Sequence, residues 1–76
     1  MTQNKDTVVK LIGKRIRQLR LESHLSLETL AFNADMDYTQ LSRIELGKIN
    51  TSIFQIHKIA NALEISAADI LIALDL

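Results

Sequence analysis

Apolar residues recur every three or four positions along this chain, and nowhere do they alternate. A repeat of about 3.6 residues gathers side chains on one side of an α-helix, whereas a half-buried strand needs period two. Val8, Ile12, Ile16 and Leu19 form the first stripe, with Lys10, Lys14 and Arg17 off it. That helix should fade near Ser23-His24, because His24 is a residue type that tolerates left-handed backbone. Leu27, Leu30, Ala31 and Ala34 mark a second helix over 27–33, with Ser26 as its N-cap. Asp35 turns the chain, and Met36 drops an apolar group beneath the turn. Asp37 caps a third helix over 38–46, with Gln40 at capping-box spacing, and Gly47 stops it in left-handed conformation. Residues 48–52 read as a loop. Ile53, Ile56, Ile59, Ala60 and Leu63 mark a fourth helix, and Ser66-x-x-Asp69 caps a fifth over 67–74. The fold class is all-α. Residues 1–6 read as a flexible arm, and 7–76 as a single domain.

Seventy-six residues buy one small core and no second domain. With no cysteine, disulfides, thiolate metal sites and thiol catalysis are excluded. Apolar residues at 47% argue against disorder. The longest apolar run, Ile70 to Leu74, is far short of the roughly 20 residues that span a bilayer, and residues 1–6 lead into no signal-peptide core. A soluble, cytoplasmic protein with no membrane partner is the simplest expectation. His24 and His57 stand far apart with no carboxylate at ligand spacing, and no Ser-His-Asp order, acid pair or glycine-rich phosphate loop is present. No metal, cofactor, small-molecule ligand or enzymatic step is expected.

The net charge is zero, but it is unevenly spread. Residues 1–24 carry six cations against two carboxylates, and residues 25–76 carry three against seven. A polarised molecule can present the local basic face that phosphate binding requires. A solvated helix face accounts for the same charges equally well.

The connection between the second and third helices is too short for an antiparallel pair. A turn of this length sets two helices at about 90–120°, the helix–turn–helix geometry. On the third helix, Leu41, Ile44 and Glu45 share one side, and Thr39, Ser42, Arg43 and Leu46 the other, with Tyr38 and Gln40 flanking. A short polar stripe with one Arg suits a major groove: Arg pairs with guanine, Gln with adenine, and Ser or Thr with several base edges.

Four segments, taken in order, carry a family resemblance: Gly13-x-Arg15-Ile16-Arg17-x-Leu19-Arg20, Leu25-Ser26-x-Glu28-x-Leu30-Ala31, Leu41-Ser42-Arg43-Ile44-Glu45-x-Gly47, and Ile59-Ala60-x-Ala62-Leu63-x-Ile65-Ser66. Together they resemble the Cro/phage-repressor (XRE-type) helix–turn–helix family over about residues 11–71. The likeness is to its short stand-alone members, such as phage repressors, restriction–modification controller proteins and some antitoxin-type regulators. It implies a compact five-helix bundle with the recognition helix at 38–46, acting as a transcriptional regulator on double-stranded DNA. The alternative is a protein-interaction module that kept the fold and lost DNA binding.

The chain departs from the family pattern at several positions. His24 and Asp35 stand where the family usually has Gly, and both tolerate positive φ. Thr51 replaces the usual Pro and is expected to cap the fourth helix. Leu27 stands where Gln commonly reaches a phosphate, and Leu46 lacks the polar group often found there.

The resemblance implies an ion pair between Arg20 and Glu45. Thr39 and Arg43 are the leading base-edge candidates, followed by Tyr38, Gln40 and Ser42. Ser26, Lys48, Asn50 and Ser52 are the phosphate candidates. Ile70, Ile72, Leu74 and Leu76 are more apolar groups than one short terminal helix can bury beneath itself: either they finish the monomer core, or some of them form a homodimer seam, and they are assigned to the seam. Two-fold symmetry would suit a palindromic site.

Overall fold

Asn4 starts the first helix by accepting the Thr7 N–H on its side-chain oxygen at 2.9 Å. The computed structural model describes residues 4–74. It contains α1 (Lys5–Glu22), α2 (Leu27–Asn33), α3 (Tyr38–Glu45), α4 (Ile53–Ala62) and α5 (Ala67–Leu71), followed by a 3₁₀ turn over Ile72–Leu74. No strand occurs among the described residues. Lys5 and Asp6, expected in an arm over 1–6, belong instead to α1, because the Asn4 cap starts the helix there. Residues 1–3 of that arm lie outside the described residues. The fifth helix tightens to 3₁₀ after Leu71 instead of running to 74 as α-helix.

Each helix start has a polar cap. Ser26, Asp37, Ser52 and Ser66 accept from the backbone N–H three residues on, satisfying donors that a helix start leaves open. Ser66 and Asp69 complete both halves of a capping box. Thr51 does not cap α4 as expected. Ser52, one residue later, stands at the required spacing from Gln55 N–H (3.1 Å), and the Thr51 hydroxyl oxygen is buried without a hydrogen-bond partner.

The first four helices all end in the same closure. At α1 it runs from His24 N–H to the Leu21 carbonyl and from Leu25 N–H to the Arg20 carbonyl. Asp35 and Met36 close α2, Gly47 and Lys48 close α3, and Glu64 and Ile65 close α4 in the same register. The closing residue is left-handed each time: His24 (φ 58°), Asp35 (φ 53°), Gly47 (φ 72°) and Glu64 (φ 60°). The apolar groups that follow three of them, Leu25, Met36 and Ile65, pack back onto the core. Glu64 has no such tendency of its own, since its long side chain forms no local bond favouring left-handed backbone. Glu64→Gly is expected to stabilise the protein by up to about 1 kcal/mol, the relieved Cβ strain exceeding the added unfolded-state entropy. A urea midpoint that stayed level or fell would contradict that backbone assignment.

Ile16, Leu30, Leu41, Ile44, Ile59 and Ile70 are fully buried and draw all five helices into one core. Each side chain buried this way contributes about 1.5–3 kcal/mol before entropy is subtracted. Two expectations are corrected here. Ile70 is no seam residue: α5 lies against α1 and α4, and Ile70 belongs to the core with Ile16 and Ile59. Ile53 is not part of the buried α4 stripe. It stands in the first turn, where nothing covers it, and is 87% exposed.

Candidate nucleic-acid interface

The turn joining α2 to α3 is built by hydrogen bonds that close α2 within a few residues. Asp35 N–H donates to the Phe32 carbonyl at 3.1 Å, and Met36 N–H to the Ala31 carbonyl at 2.9 Å. Asp37 then begins α3 by accepting the Gln40 N–H. The chain thus leaves one helix and enters the next in four residues, which forces a sharp angle between them.

α3 divides as an amphipathic helix must. Leu41 and Ile44 are buried on its inner side, together with Glu45. Thr39 and Arg43, one turn apart, are exposed on the outer side, and neither side chain hydrogen-bonds within the described residues. Tyr38 is half exposed at the helix start, while Gln40 and Ser42 are partly covered. Leu46 is largely exposed beside them. The five side chains singled out as base-edge candidates therefore lie along one helix, with Thr39 and Arg43 on its open edge.

Contacts from α1 secure the rear of this helix. Gly13 is buried against the α3 backbone: a Cβ there would collide with the Ile44 carbonyl oxygen and stand 2.9 Å from that of Glu45. Gly47 approaches the Lys10 backbone, where a Cβ would be 3.0 Å from Lys10 Cα. Between these contacts, Arg20 pairs with Glu45 through two parallel bonds, Nε to Oε2 at 2.8 Å and Nη2 to Oε1 at 3.0 Å. The third guanidinium nitrogen donates to the Leu25 carbonyl at 2.9 Å, so one side chain ties α1, the α1–α2 connection and α3 together. The two side chains are only 11% and 4% exposed, and this is the only ion pair among the described residues. A pair so well shielded from water fixes orientation more than it adds net stability.

The loop after α3 brings Lys48, Asn50 and Ser52 to the surface. Asn50 Oδ1 accepts the Thr51 N–H, and the Ser52 hydroxyl is engaged as the α4 cap. Ser26 is likewise occupied, accepting from Thr29 N–H and donating to the Thr29 hydroxyl. Lys48 has no partner among the described residues, so it is the phosphate candidate whose side chain is wholly uncommitted. Leu27 is half buried against the core, where it cannot reach a phosphate. At the other end, Ile72 is 79% exposed and Leu74 is partly covered, whereas Leu76 lies outside the described residues. Sequence patterning missed Lys58 of α4, whose ammonium reaches the α2–α3 turn; a lone lysine on a helix carries no signal distinguishing it from a solvated one.

A family model described as "Helix-turn-helix" matches residues 16–70. The control protein C.BamHI of Bacillus amyloliquefaciens is 44% identical over 62 residues, 80% of this chain and 76% of that protein. The control protein C.MunI of a Mycoplasma species is 37% identical over 59 residues, 76% of this chain and 80% of its own. Among solved structures, the restriction–modification controller protein C.AhdI of Aeromonas hydrophila superposes with a TM-score of 0.82 at 36% identity, covering 84% of this chain and 97% of that one. The clp gene regulator ClgR of Corynebacterium glutamicum superposes with a TM-score of 0.84 at 27% identity, covering 88% and 71%.

Proposed function

The chain belongs to the helix–turn–helix family, and we propose that it is a transcriptional regulator of the controller type that binds double-stranded DNA sequence-specifically. The observation that carries this reading is the open edge of α3. Its inner side is buried, while Thr39 and Arg43 face outward with no side-chain partner among the described residues. In this reading α3 lies in the major groove, with Thr39 and Arg43 reading base edges and Tyr38, Gln40 and Ser42 beside them. Lys48 and Asn50 meet the phosphate backbone, with Ser26 and Ser52 at the starts of α2 and α4. In this reading the single domain acts in the cytoplasm, without cofactor or enzymatic step, and occupancy of a promoter is the regulatory event.

One domain of this size reads only a few base pairs, so the reading includes a homodimer on a palindromic site. Its two recognition helices would stand about 34 Å apart. Ile72 and Leu74, with Leu76, are the apolar groups assigned to its seam. Sedimentation at micromolar concentration tests this part, and a strict monomer would end it.

Binding is tested by titrating DNA from upstream of the chain's own gene over a salt series. Neutralising Z phosphates gives a log–log slope of about −0.9Z. A flat response would instead favour a protein-interaction module on the same fold. Arg43→Ala is expected to cost about 1–3 kcal/mol of binding and to relax preference at one base step. An equal loss on every sequence would reassign Arg43 to a phosphate.

A further inference from the structure

We propose that Lys58 is a positioning residue for α3: its ammonium holds the α2–α3 turn against α4 and thereby sets the attitude at which α3 meets a groove. The proposal rests on the DNA-binding reading given above. Lys58 Nζ donates to the Asp35 carbonyl at 2.7 Å, across 23 residues of sequence. Asp35 is the left-handed residue of the turn, and among the described residues its carbonyl accepts no backbone hydrogen bond. The last turn of α2 contains no basic residue, so Lys58 supplies from α4 the cation that a helix C-terminus favours. The ammonium pairs with no carboxylate among the described residues. It lies 5.5 Å from the centre of the Phe54 ring, one turn earlier on α4, which limits where the side chain can go. Asn33, Asp35, Phe54, Lys58 and Asn61 line one shallow groove at this junction.

The fold makes this contact consequential. α3 packs on α1 and α2, and α4 contacts α2. Part of the influence of α4 on α3 passes through α2 and the turn, where Lys58 provides a polar tie.

Lys58→Met keeps the stem and removes all three donors, and Lys58→Arg keeps charge and donors. Each is titrated, below its melting transition, with DNA from upstream of the gene across a KCl series, and backbone amide spectra are recorded for residues 35–39. The Met variant is expected to bind roughly three- to tenfold more weakly with the salt slope unchanged, as befits loss of one exposed charge-assisted bond. The 35–39 amides shift, and Arg restores most of the affinity. A slope reduced by about one would make Lys58 a direct phosphate contact and overturn the proposal. So would a lowered melting point with full affinity, which is the mark of a merely structural bond. If the wild-type chain binds no DNA, the functional reading fails, and the amide shifts alone still decide whether Lys58 holds the turn.

Discussion

Gly13→Ala is expected to lower the thermal midpoint by about 8–16 °C, although alanine is the better helix former. Inside a helix, alanine is favoured over glycine by about 1 kcal/mol. Against that gain stands a Cβ driven into the Ile44 carbonyl oxygen and held 2.9 Å from the Glu45 carbonyl. Both obstacles are backbone, so no rotamer change relieves them, and either α1 or α3 must move. Overpacking of this kind costs about 1–3 kcal/mol and sometimes more. With backbone on one side of the contact, the upper end applies and exceeds the propensity gain. The net loss is then about 2 kcal/mol, which at about 4–8 °C per kcal/mol for a domain of this size is about 8–16 °C. Circular dichroism melting decides the matter. A midpoint equal to or above wild type would mean that α1 does not approach α3 this closely.

The second large effect belongs to Glu45→Ala. Removing one partner of a shielded ion pair strands the other and typically costs about 3–5 kcal/mol. Arg20 keeps its bond to the Leu25 carbonyl, so the lower end, about 3 kcal/mol, is expected. Because the pair joins α1 to α3, DNA affinity should fall together with the melting point. Replacing both residues by apolar groups leaves no stranded charge and should recover most of the stability without recovering the affinity. Unchanged melting in Glu45→Ala would remove the pair from any role in holding α3.

The helix starts were legible in the sequence because each cap combines a short polar side chain with a three-residue spacing. Ser26, Asp37 and Ser66 stand at the helix starts the pattern predicts. The left-handed closures at His24, Asp35 and Gly47 were readable from residue type, whereas Glu64 was not, because tertiary packing of Ile65 overrides a poor local preference. Thr51 and Ser52 are adjacent hydroxyl residues of similar capping strength, and only the register of α4 makes Ser52 its cap. Ile53 and Ile70 failed in opposite directions for one reason: periodicity shows which side of a helix is apolar, but not how far along the helix a neighbour extends to cover it. The arrangement of Tyr38, Thr39, Gln40, Ser42 and Arg43 on α3 followed from their spacing alone. Lys58 could not be read that way, since its partner is a carbonyl, which every residue possesses.

The ties from α1 meet α3 and its closing turn at residues 44–47: Gly13 beneath its last carbonyls, Arg20 on Glu45, and Lys10 against Gly47. Thr39 and Arg43 take no part in them. On the proposed DNA-binding reading, foldedness and target choice are therefore written in separate letters of the same short helix. A lineage carrying this chain could exchange the outward letters and acquire a new address on a genome while inheriting the old scaffold intact.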